Sequence, residues 1–151
     1  MDNFETSLND LLVDTFNAIL KYEEKSIKSL SDVAVTVGEV HILEAVARSQ
    51  HPPTLSELAG RLGVALPSVT VAIKKLEQKN LATKTGCADD GRRWRLSLTA
   101  LGQKTYRAHE LFHRRMIKTL SDGFSAVEKD ILLKAMGKLR LFFAQKAEGN
   151  A

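Results

Sequence analysis

The order of elements in this chain turns on residues 54–70, Thr54-Leu55-Ser56-Glu57-Leu58-Ala59-Gly60-Arg61-Leu62-Gly63-Val64-Ala65-Leu66-Pro67-Ser68-Val69-Thr70. Thr54 and Glu57 have the spacing of a capping box, in which hydroxyl and carboxylate satisfy amides that a helix start leaves unbonded. The short helix they open ends at Gly63, where glycine takes a left-handed cap without steric cost. Pro67 then presets the backbone of the first turn of a second helix. Val69, Ile73 and Leu76 form its buried stripe, with Ser68, Thr70, Lys74 and Lys75 outward and Asn80 as C-terminal cap.

Upstream, Thr36-Val37-Gly38-Glu39 is another capping box, opening a helix through Ile42, Leu43, Ala45 and Val46. His51-Pro52-Pro53 stops it, because proline removes a donor and restricts its predecessor. Downstream, residues 81–85, a loop at 86–91 and Arg92–Thr99 read as a hairpin. Its second strand alternates strictly, with Trp94, Leu96 and Leu98 on one face and Arg93, Arg95 and Ser97 on the other. Trp94 is the expected apolar anchor of this wing, and Cys87 is a bystander within it.

The ends of the chain are helical. Phe4, Leu8, Leu11, Leu12, Phe16, Ile19 and Leu20 stripe a helix over residues 4–30. Residues 99–120 and 126–146 give two more, the last marked by Ile131, Leu132, Ala135, Met136, Leu139, Phe142 and Phe143. The expected fold is mainly α with a small β wing. One domain, 1–151, carries a winged helix-turn-helix head at 34–99 on a helical dimerisation base at 1–30 and 100–146. The end stripes have no partner large enough in one head, so they are expected to pair between two chains.

Composition narrows the function. Hydrophobic residues are 44% and charged residues 26%, which is globular. Aromatics at 6% are too few for a single-strand stacking platform. One cysteine excludes an internal disulfide and a thiolate-rich zinc site. No apolar run is long enough to span a membrane and the acidic N-terminus is not a signal peptide, so a cytoplasmic protein without a membrane partner is expected. The net charge is +4, yet residues 1–33 are acidic while residues 54–99 hold eight bases against four acids. That segregation points to a polyanion partner.

A helix beginning at Pro67 suits the major groove of double-stranded DNA, with Ser68 and Thr70 at base edges and Lys74 and Lys75 at bases or phosphates. Arg92 and Arg93 at the wing tip can enter the neighbouring minor groove. The expected DNA-facing set is Thr54, Ser56, Leu66, Pro67, Ser68, Thr70, Lys74, Lys75, Asp90, Arg92 and Arg93. Leu58-Ala59, Leu62-Gly63-Val64, Pro67-Ser68-Val69-Thr70 and Leu76–Leu81, followed by Asp90-Gly91-Arg92 and Leu98-Thr99-Ala100-Leu101-Gly102, resemble the MarR family of bacterial regulators. The resemblance covers essentially the whole chain. It implies a homodimeric repressor on a pseudo-palindromic site, with Asp90 steadying Arg92. Ala65 departs from the usual Ser or Thr cap, and Asn80 from the usual glycine.

His109-Glu110-Leu111-Phe112-His113 matches H-E-x-x-H, the helix-borne motif of zinc hydrolases. Met116 and Thr119 fail its extended form and no further domain builds a cleft, so zinc hydrolysis is a remote alternative and the chain is read as no enzyme. Zinc sensing by His41, His109 and His113 is a nearer alternative to a protein without cofactor. Glu39-Val40-His41, Val64-Ala65-Leu66 and Arg107–Met116 are similar to the fatty-acid-synthesis repressor subgroup. That similarity implies an acyl-acyl carrier protein corepressor, or another small apolar ligand, in a pocket of Phe16, His41, His109, Phe112, His113 and Met116.

Overall fold

The computed structural model describes residues 2–30, 33–87 and 90–148, apart from the side chains of residues 30, 90–92 and 147–148. The chain order is α1 (Asn3–Leu30), α2 (Val37–Ala47), α3 (Leu55–Leu62), α4 (Leu66–Gln78), β1 (Ala82–Cys87), β2 (Asp90–Leu98), α5 (Ala100–Asp122) and α6 (Ala126–Glu148). These elements form two compact units, residues 1–112 and 113–151, divided within α5.

Local chemistry sets the helix ends of the first unit. Thr36 and Glu39 close a reciprocal capping box at α2, and Thr54 and Glu57 another at α3. Gly63, at φ 63°, turns the chain out of α3, and Val64 N–H bonds back to the Ala59 carbonyl. Asn80 takes the same left-handed conformation after α4, at φ 57°, and Leu81 N–H reaches the Leu76 carbonyl. Ala65 offers α4 no side-chain cap, and Pro67 stands in its first turn.

The two strands pair antiparallel, Ala82 with Leu98 through Gly86 with Trp94, and a register shift follows Gly86. The ladder takes in Gly86, Cys87 and Asp90, where the sequence predicts a loop. Once Gly86 pairs with Trp94 the ladder continues outward, because each added pair satisfies backbone groups. Leu96 N–H also bonds the Pro53 carbonyl, and Thr54 bridges Arg95, which ties the wing to the start of α3. Val40, Leu43, Leu58, Ile73, Leu76, Leu81 and Leu96 are completely buried at the centre. Each such side chain contributes roughly 1.5–3 kcal/mol of hydrophobic stabilisation.

The Leu-Thr-x-x-Gly run has a physical basis here. Thr99 donates its hydroxyl to the Asn80 carbonyl at 2.7 Å and accepts from Gly102 N–H at 3.0 Å. A Cβ on Gly102 would fall on the Leu81 carbonyl oxygen, so only glycine lets α5 leave the wing this close to the end of α4.

In the second unit Ser125 and Glu128 form a further capping box, opening α6. Leu133, Met136, Phe142 and Phe143 on α6 are exposed, as are Phe4, Leu11 and Phe16 on α1 of the first unit. Among the described residues no helix is long and apolar enough to cross a membrane.

Candidate nucleic-acid interface and histidine cluster

The exposed face of α4 follows from its buried one. With Val69, Ile73 and Leu76 inward, residues 66–68, 70, 71, 74, 75 and 78 are exposed. Thr70 donates its hydroxyl to the Leu66 carbonyl at 3.0 Å, which leaves its methyl and an acceptor lone pair outward. Ser56 is exposed on α3. Thr54 is 4% exposed and its hydroxyl oxygen accepts from Glu57 N–H, so its side chain is engaged in opening α3.

Four of the eight bases read as a basic face are engaged within the fold. Lys79 Nζ sits 2.9 and 2.7 Å from the two carboxylate oxygens of buried Glu39, tying the end of α4 to the start of α2. Lys84 pairs with Glu77 at 3.1 Å, Arg61 donates to Ser49 Oγ at 2.6 Å, and Arg95 donates to the Pro52 carbonyl at 2.7 Å. Lys74 and Lys75 are exposed and make no ion pair among the described residues. Arg93 is exposed near the wing tip; the side chains of Asp90 and Arg92, and the salt bridge expected between them, lie outside the described residues. Trp94 is no buried anchor. It stands 45% exposed with Lys84 Nζ 5.6 Å from its ring centroid, because the ladder places it near the free end of the wing.

Glu23 of α1, 5% exposed at its side chain, organises the histidines of the first unit. Its Oε1 lies 3.1 Å from His41 Nε2 on α2 and 2.6 Å from His109 Nε2 on α5. The imidazoles of His41 and His109 meet edge to face at 5.9 Å, and Phe112 packs against Tyr22 at 5.0 Å. One carboxylate thus joins three helices, one of which leads into the reading head. The sequence reading missed Glu23, although an acid four residues before buried Ile27 on an apolar stripe was a visible signal. His113 and Met116 follow on α5, half-buried in the second unit, and Phe16 is 64% exposed on α1.

The space beside His109 and Phe112 is only about 10 Å³, room for at most one water. A larger open cleft of about 630 Å³ lies between α2 and α4, bordered by Thr36, His41, Ile42, Val71, Ala72 and Lys75. Of the expected effector residues only His41 borders it.

Residues 33–93 match the MarR family model, which spans α2 to the wing. The structure is similar to that of Streptococcus pneumoniae FabT in complex with DNA, with a TM-score of 0.87, 27% identity, and 93% of this chain and 98% of that chain covered. The fold is shared with the Staphylococcus aureus MepR–DNA complex (TM-score 0.73, 24% identity, 86% and 94% covered). It is shared too with S. aureus MarR in complex with salicylate and kanamycin (0.80, 19%, 95% and 95%). With a capped helix-turn-helix, a hairpin wing and long flanking helices in the same order, the chain has the winged-helix fold seen in MarR-family regulators, and its residues 33–93 match that family's model.

Proposed function

We propose that the protein is a homodimeric, sequence-specific binder of double-stranded DNA, a repressor whose affinity an effector sets, and no enzyme. The observation that carries this reading is the exposed face of α4, where Lys74 and Lys75 flank a strip free of the fold's own ion pairs, beside a wing ending in Arg92 and Arg93. FabT and MepR are both seen on DNA, and the same arrangement here fits a major-groove helix and a minor-groove wing. The exposed apolar stripes of α1 and α6 support a second copy as partner, which gives two heads for a pseudo-palindromic site.

Gel shifts at two salt concentrations test the reading. Affinity falls steeply with salt through counterion release, and Arg92→Ala costs about 1–3 kcal/mol if the arginine reads the groove. Affinity that ignores salt would exclude this interface.

The effector of choice is an acyl chain delivered by acyl carrier protein, which places the regulator in fatty-acid synthesis. His109 and Phe112 enclose almost no free space, so an acyl chain must part α1, α2 and α5 to enter. Because α2 leads into the head, parting them favours one spacing of the two heads over another, and only such a difference alters DNA affinity. Zinc is the second reading. It is favoured by Glu23 Oε1 facing Nε2 of both His41 and His109, an oxygen and nitrogen donor set of the kind zinc takes, with His113 one helical turn further on. Calorimetry with zinc and gel shifts with acyl carrier protein separate the two. Zinc requires about one ion per chain and chelator-sensitive DNA binding. The acyl reading requires a shift that His113→Ala weakens while basal DNA binding persists.

A further inference from the structure

Val71 has no work in the fold. At roughly 100° per residue it projects opposite the buried stripe of Val69, Ile73 and Leu76, and it is 57% exposed. A β-branched side chain at an exposed helix position lowers helix propensity, so neither packing nor helix formation accounts for it. Nor does it stand alone. Leu66 is 43% exposed at the first turn of α4, and Thr70 presents its methyl because the Leu66 carbonyl holds its hydroxyl. Val71 borders the α2–α4 cleft together with Pro67 and Lys75 and is the apolar group of that outward strip, with Leu66 and the Thr70 methyl further round the helix.

Among the base edges that line the major groove, the one apolar group is the 5-methyl of thymine. We propose that Val71 is a specificity-determining residue that packs on a thymine methyl in each half-site, with Lys74 beside it reaching a phosphate or a base edge. This inference rests on the DNA-binding reading and adds to it what the helix selects: a thymine recognised by its methyl rather than by hydrogen bonds.

The test begins with duplexes selected from a random pool by the full chain at moderate salt. Each thymine of the recovered half-site is then replaced singly by deoxyuridine, which deletes the methyl and keeps base pairing. At one position the replacement weakens binding about fourfold per half-site, the weight of one methyl taken out of water. Val71→Ala weakens binding to the unmodified duplex by a similar factor and is then indifferent to the deoxyuridine, whereas Lys74→Ala still senses it. The proposal is overturned if every deoxyuridine costs wild type and Val71→Ala the same, or if none affects wild type. Recovery of no preferred sequence would instead sink the DNA-binding reading, and this inference with it.

Discussion

The reading head and the long helices treat their apolar residues in opposite ways. In the head, stripes from α2, α3 and α4 converge with Leu81 and Leu96 until nothing of Leu43, Leu58, Ile73 or Leu76 remains exposed. On α1 and α6, apolar stripes end at solvent: Ile131 is 60% exposed and Phe4 72%. A monomeric surface rarely leaves such long contiguous apolar faces open. The head therefore carries its stability within one chain, while in the proposed dimer the stability of the long helices depends on concentration.

The largest effect expected from breaking this contrast is at Gly102. A methyl there meets the Leu81 carbonyl, a backbone atom that cannot swing away, so Gly102→Ala should lower head stability by about 4 kcal/mol or more. Gly60 on exposed α3 has open space where its Cβ would lie, and Gly60→Ala should raise stability by about 0.5–1 kcal/mol. Urea midpoints measure both. Equal effects of the two substitutions would mean that the close approach of α5 to the end of α4 is not what the head relies on.

A charge on the open face should act differently. Ile131→Lys combined with Met136→Lys places two cations on exposed stripe positions of α6. Sedimentation should then show monomer at micromolar concentration where wild type is dimer, with circular dichroism of the helices retained. DNA affinity should fall by more than tenfold as one head is lost from each site. A variant that stays dimeric would move the interface elsewhere.

What the sequence made legible was local. The capping boxes of α2 and α3, the left-handed turns at Gly63 and Asn80 and the alternation of β2 depend on residues a few positions apart. The less visible features depend on partners far along the chain. Glu23 reads as one more acid on an acidic helix until His109, 86 residues later, closes on it. Lys79 and Lys84 count toward a basic face until Glu39 and Glu77 take them, which contracts the polyanion surface to α4 and the wing tip. Trp94 follows the periodicity of a buried strand position but lies too near the end of the hairpin to be covered. The outward side of α4 was legible because it is fixed by its own buried stripe; the surroundings of His109 and Phe112 were not, because three distant helices define them.

The smallest expected effect sharpens the contrast by pH. Glu57 in the head and Glu128 on α6 play the same capping role, and both carboxyls sit below the ordinary carboxylate range. The Thr54 backbone amide lowers Glu57, and the Ser125 hydroxyl, then its amide, lowers Glu128. A carboxyl lowered by folding contributes stability that is fully present above its unfolded value and is lost as pH falls through the folded value. Both groups are solvent-exposed, so salt screens the effect and its size stays small. Glu57→Gln and Glu128→Gln should each lower the urea midpoint at neutral pH and converge on wild type as the solution is acidified. The two should differ in one respect. The Glu57→Gln deficit should be independent of protein concentration, since α3 belongs to the self-contained head. The Glu128→Gln deficit should shift with concentration, since the proposed dimer covers the open face of α6. Identical concentration dependence for both would show that head and long helices unfold as one cooperative unit, and the division between them would fail.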